Sequence, residues 1–136
     1  MATPPEVRVD YPTDEVLKPI PVDLRRELLL SITAVDDQMD VSIGGQHVGT
    51  EYIGASKVIS LSDFITKNRD KLPAEMDLQI VSTDYGPQGD NWWTCGFFVF
   101  YRDEANAILD HQNWTYQRFG QHDKHASVTY TMALKV

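Results

Sequence analysis

Ser127-Val-Thr-Tyr-Thr-Met-Ala-Leu-Lys-Val136 decides the fold class. Val128, Tyr130, Met132, Leu134 and Val136 share one parity, and Ser127, Thr129, Thr131, Ala133 and Lys135 share the other. A strand sends successive side chains to opposite faces, so this run reads as a β-strand with one apolar and one polar face. Leu28, Leu30, Ile32 and Ala34 alternate in the same way with Leu29, Ser31, Thr33 and Val35. Beyond the acidic turn Asp36-Asp37-Gln38, Met39, Val41 and Ile43 oppose Asp40 and Ser42. Gly44-Gly45 then marks a two-residue hairpin turn into Gln46 to Val48, because its central positions need a positive φ that a side chain resists. Val58 to Leu61 is a short strand, as are Leu78, Ile80 and Val81, and Trp92 to Tyr101 is a long one.

Two stretches have helical character. Ser62 is a suitable N-cap for a short helical turn over Asp63 to Lys71, which Pro73 would end. Asp103 to His111 holds good helix formers such as Glu104, Ala105 and Leu109, yet Asp103-Glu-Ala-Asn106 also suits a hairpin loop. About eight to nine short strands separated by turn signals argue for an all-β, antiparallel sandwich with one helical turn near 62–71. Pro4, Pro5, Pro12, Pro19 and Pro21 crowd the start of the chain. Proline lacks a ladder donor and biases its predecessor toward extended geometry, so residues 1–22 read as an extended arm with an edge strand at Val7 to Tyr11. Residues 23–136 then form a single sandwich domain.

A chain of 136 residues fits one such domain. Its 20 acidic and 12 basic side chains give a net charge of −8, which argues against phosphate backbones and anionic membrane surfaces as partners. No apolar run approaches the roughly 20 residues of a membrane helix. The first residues lack the basic and apolar regions of a secretory signal. Cys95 stands alone, which excludes an internal disulfide and a thiolate zinc site, and synthesis in the cytoplasm suits such a chain. Asn113-Trp-Thr115 matches a glycosylation sequon, and without an export signal it reads as coincidence.

Ile32 to Gly49, with its acidic pair, short strand, glycine turn and closing Val-Gly, resembles a hairpin of the galactose-binding-like jelly-roll domains that accompany many glycosidases. Val58 to Phe64, Met76 to Thr83 and the Gly-rich loop Asp84 to Asn91 are similar to the unit that follows in that family. Gly96 to Tyr101 resembles its central strand, and Ile108-Leu-Asp-His-Gln-Asn-Trp114 its Asp-x-x-x-Trp approach to the next one. The likeness spans about Glu27 to Tyr116 and departs in having Gly-Gly where Asn-Gly is usual. It implies a jelly roll, favours the hairpin reading of Asp103 to Asn106, and implies sugar binding through loops at one end, although many members only pack against a partner domain.

The loop Asp84-Tyr-Gly-Pro-Gln-Gly-Asp-Asn-Trp-Trp93 mixes carboxylates, amides and aromatics. Rings stack on the apolar face of a pyranose while acids and amides bond its hydroxyls, so Asp84, Gln88, Asp90, Asn91 and Trp92 are candidate sugar contacts, with Asp36, Asp37 and His47 as neighbours. Trp93 shares its parity with Cys95, Phe97, Val99 and Tyr101 and belongs to the core. Asp36-Asp37 with Asp40, or Asp84 with Asp90, offer the several oxygens that calcium takes, though acidic turns are ordinarily just solvated. His122-Asp-Lys-His125, even with His111, reads as solvated loop histidines. Cys95 lies in an apolar run where a thiol is inert, and no nucleophile elbow, phosphate loop or metalloprotease motif occurs, which points to a non-enzyme. Trp92 to Tyr101 is apolar on both faces, so Phe98 and Phe100 need a cover, from the arm or from a second copy in a homo-oligomer. This supports an alternative function as an interaction module of a larger assembly or viral particle, docking through an exposed aromatic strand and the arm. Net charge alone suggests a third idea, an acidic inhibitor of a basic partner.

Overall fold

The computed structural model describes residues 7–9, 12–85, 93–102, 108–120 and 126–135. Among these, eleven strands form two sheets. They are β1 (Val7–Val9), β2 (Glu15–Val16), β3 (Ile20–Pro21), β4 (Glu27–Ala34), β5 (Gln38–Ile43), β6 (Gln46–Tyr52), β7 (Lys57–Ser60), β8 (Met76–Asp84), β9 (Trp93–Arg102), β10 (Ile108–Phe119) and β11 (Ala126–Lys135). The first sheet runs β1-β10-β9-β4-β7; the second runs β2-β11-β8-β5-β6, with β3 also on β11. The expected all-β sandwich is therefore what the chain forms. Ile108 pairs with Arg102 and opens β10, so a helix does not run through 108–111.

The period-two runs face as their parity requires. Leu28, Leu30 and Ile32 of β4, Trp93 to Tyr101 on the odd positions of β9, and Val128, Tyr130, Met132 and Leu134 of β11 share one core. Met39, Val41 and Ile43 of β5 and Leu78 and Ile80 of β8 complete it. Each such side chain contributes about 1.5–3 kcal/mol when removed from water, and this burial holds the two sheets together.

Four details differ from the sequence reading. First, the sandwich is not wholly antiparallel. β1 runs parallel to β10, and β2 and β3 run parallel to β11. These are the strands of the proline-rich stretch, and no tight hairpin dictates their direction. They are the source of the strand count above eight or nine. They also seal the edges of β10 and β11, with Ile20 fully buried and Tyr101 Oη donating to the Pro21 carbonyl.

Second, helix α1 (Leu61–Lys67) is capped by Ser60, whose Oγ accepts from Asp63 N at 3.1 Å, and not by Ser62. Ser62 Oγ instead accepts from Leu28 N at 2.5 Å, tying the helix to β4. A 3-10 turn over Arg69–Lys71 follows α1. Leu61 and Ile65 close the lower end of the core.

Third, the aromatic strand is not exposed. Phe98 and Phe100 are only 9% and 5% exposed in the single chain. They form a second small cluster with Leu29 and the half-buried Trp114 on the outer face of the first sheet, Phe98 lying 5.1 Å from the Trp114 ring and 5.0 Å from Phe100. Strand β9 is apolar on both sides because it is buried on both sides.

Fourth, β6 carries a bulge. Gln46 and His47 pair with Ile43 and Ser42, but Gly49 pairs with Val41, which leaves Val48 as the extra residue. Gly44 and Gly45 close this hairpin at φ of 54° and 80°, the left-handed values expected of them.

Candidate functional site

The upper end of the sandwich is where β4 crosses to β5 and where β8 finishes. Asp36 and Asp37 make the first of these connections, and the peptide between them is cis. Asp37 binds three neighbours at once. Its N–H donates to the Thr83 carbonyl at 2.8 Å, and its carbonyl accepts from Ile53 at 2.9 Å. Its Oδ2 accepts from Tyr85 N at 2.8 Å. One residue thus aligns the ends of β6 and β8 and sets the backbone of Tyr85.

Asp36 faces the other sheet. Burial raises its pKa above the usual carboxylate value, and the adjacent Asp37 charge pushes the same way. The Thr94 N–H and the Arg118 charge work in the opposite sense. Asp84 points inward with the core parity of β8 and is 3% exposed, so its side chain is not offered at the surface. Gln88, Asp90, Asn91 and Trp92 lie outside the described residues, as do the side chain of His111 and the His122–His125 run. Trp93 is buried and its ring lies 4.5 Å from Phe119, in line with its expected core role.

The bulge in β6 brings together a set of side chains that the alternation of β5 placed outward. With Val48 extra, Thr50 stands opposite Asp40 and Tyr52 opposite Gln38. Opposed residues share a face, so all four sit on the outer surface of the second sheet. A continuous line of hydrogen bonds joins them. His47 Nε2 meets Thr50 Oγ1 at 2.9 Å, and Thr50 Oγ1 donates to Asp40 Oδ1 at 2.6 Å. Gln38 Nε2 donates to Asp40 Oδ2 at 2.8 Å, and Tyr85 Oη donates to Gln38 Oε1. His47 belongs to the lower part of the hairpin, about 14 Å of strand below Gln38 at roughly 3.4 Å per residue. It is not a neighbour of Asp37, but it connects to Tyr85 through this line.

Two large rings border the upper part of the line. Tyr85 is 55% exposed and Tyr52 is 62% exposed, with Ile53 beside it. Gln38 lies between them, cross-strand from Tyr52 and bonded to Tyr85. The sequence places Tyr85 in the candidate loop and Asp40 with the acidic pair as a calcium candidate, but it does not single out Tyr85, Gln38, Thr50 or Tyr52 as site residues. The outward parity of Gln38 and Asp40 is visible in the sequence, whereas the bulge that aligns β6 with them is signalled only by Gly49 within the strand.

Two other places hold chemistry. Beneath the surface, the Cys95 thiol lies against Ser82 and Tyr130, and Tyr130 Oη donates to Gln117. Burial pushes the Cys95 thiol up to about 12, and it raises the Tyr130 phenol as well. Such a thiol stays protonated and unreactive, as its apolar surroundings imply. At the lower end, a cleft of 610 Å³ is lined by Gly44, Glu75, Asp77, Gln79 and Lys135 among others, and no aromatic ring lines it. No group of three or more metal-ligating side chains occurs among the described residues.

Comparison of the chain with protein-family models, with curated proteins and with solved structures returns no match.

Proposed function

We propose that this sandwich binds carbohydrate without transforming it, at the upper outer surface of the second sheet. The observation that carries this reading is the pair of exposed tyrosines, Tyr52 and Tyr85, bordering a Gln38 amide held by hydrogen bonds. Rings of this kind stack on the apolar C–H face of a pyranose, while fixed amide and carboxylate groups bond its hydroxyls. A prepositioned amide loses little freedom on binding, which favours a weak polar ligand. Asp37 belongs to the site by its contact with Tyr85, and Gln88, Asp90, Asn91 and Trp92 follow Tyr85 in the sequence within the same Asp84-to-Trp93 stretch. The pattern likeness to galactose-binding-like jelly rolls points the same way.

A glycan array on the purified chain, with and without calcium, tests the reading. Selective binding to a related group of glycans that is lost in Tyr85→Ala supports it, and calcium dependence would draw the acidic turns into the site. A blank array in both conditions overturns it.

A further inference from the structure

The hydrogen-bonded line runs with a defined polarity. An ionised carboxylate only accepts, so Asp40 Oδ1 takes the single hydrogen of Thr50 and Asp40 Oδ2 takes one from the Gln38 amide nitrogen. Thr50 has no second hydrogen to give. His47 Nε2 must therefore carry the hydrogen that joins it to Thr50 Oγ1. On the other side, turning the Gln38 nitrogen toward Asp40 turns its carbonyl toward Tyr85, whose hydroxyl hydrogen points inward onto Oε1. Every hydrogen in the line is thus directed toward one acceptor, from His47 through Thr50 and from Tyr85 through Gln38.

We infer that Asp40 is a positioning residue that makes this surface selective for neutral saccharides and closed to acidic ones. The inference rests on the carbohydrate reading above. Asp40 fixes the Gln38 amide, and through it spends the Tyr85 hydrogen inside the protein, so the tyrosine has no hydrogen left to give a ligand. With the Asp40 carboxylate accepting from Gln38 and Thr50 and the Asp37 carboxylate accepting from the Tyr85 backbone, the surface presents acceptors and disfavours anions. The hydroxyls of a neutral sugar donate to such a surface. The carboxylate of a hexuronate finds like charge there and a Tyr85 hydrogen already committed to Gln38.

Asp40→Asn breaks this order in a defined way. The asparagine has one oxygen and one amide nitrogen, so it no longer accepts from both Thr50 and Gln38. Gln38 is then released to rotate its nitrogen toward Tyr85, and the tyrosine hydrogen turns outward as a donor. The negative charge also disappears. The variant is expected to gain binding to acidic saccharides, an effect that a merely structural role for Asp40 does not produce.

The experiment is calorimetric titration of the full chain, wild type and Asp40→Asn, with neutral disaccharides and with hexuronate disaccharides. Expected are wild-type binding to neutral sugars alone, and at least about a fivefold shift of the neutral-to-acidic affinity ratio toward the hexuronates in the variant. A wild type that binds neither class overturns the carbohydrate reading and the inference together. A wild type that prefers hexuronates, or a variant with unchanged selectivity, overturns the inference alone. The polarity is also readable on the native protein without any variant, by the nitrogen shifts of His47. A hydrogen on Nε2 is expected, and an imidazole protonated only at Nδ1 would contradict the line as drawn.

Discussion

The outer faces of the two sheets follow the same alternation and end in opposite conditions. On the first sheet, Leu29, Phe98 and Phe100 are buried, with the Phe98 ring tilted against both Phe100 and Trp114. On the second, Gln38, Asp40, Thr50 and Tyr52 form a polar, partly open surface bordered by rings. Apolar area removed from water stabilises, whereas a polar surface with fixed hydrogen bonds and open rings has more to offer a ligand than the fold. The first face is therefore expected to govern stability and the second to govern binding.

Substitution on each face sharpens that division. Phe98→Ala removes a buried ring and should cost about 3–5 kcal/mol, read as a large fall in the denaturation midpoint, with the protein that remains folded binding sugar normally. Gly96 lies on the same sheet, where a Cβ would sit 2.7 Å from Thr33 Oγ1 and 3.2 Å from the Ala34 Cβ. Gly96→Ala should cost about 1–3 kcal/mol by overpacking. Tyr85→Ala, on the other face, should leave the midpoint nearly unmoved while lowering sugar affinity about tenfold, equivalent to about 1.4 kcal/mol. Loss of stability in Tyr85→Ala, or loss of intrinsic affinity in Phe98→Ala, would break the comparison.

The smallest effect concerns Asp36, at the crossing between the sheets. Its pKa is raised on folding, first by burial and then by Asp37, so the folded chain holds that proton more tightly than the unfolded one. Stability therefore falls as pH rises from the unfolded value near 3.8 through the higher folded one. Asp36→Asn should be slightly more stable than the wild type at neutral pH, by at most about 0.5 kcal/mol. The gain should vanish below the unfolded value, as thermal melts across pH would show.

Much of the architecture was legible because parity is a local property. The alternation of Val128 to Leu134 and of Met39 to Ile43 names the buried face without knowledge of the partner strand. What depends on the partner was not legible. Ser60 and Ser62 are equivalent as caps in sequence, and only the contact of Ser62 with Leu28 on β4 separates them. Phe98 and Phe100 need a cover, as the parity of β9 implies, and they pack with Leu29 and Trp114 of the same sheet, partners that only the β9–β10 and β9–β4 pairings reveal. The candidate surface shows the same limit. Asp40 and Thr50 are ten residues apart, and a regular hairpin from Gly44-Gly45 would set Asp40 against Gly49. The extra Val48 moves Thr50 into place, and the one local signal of that bulge is Gly49, a glycine inside the strand, which does not by itself fix the register.

The most direct measurement is amide shift mapping of the isotopically labelled chain, titrated with neutral disaccharides. Shifts clustered at Gln38, Asp40, Thr50, Tyr52 and Tyr85, with Leu29, Phe98 and Phe100 unmoved, are the expected result. An unresponsive spectrum, or shifts centred on the first sheet, would contradict the assignment of binding to the open polar face.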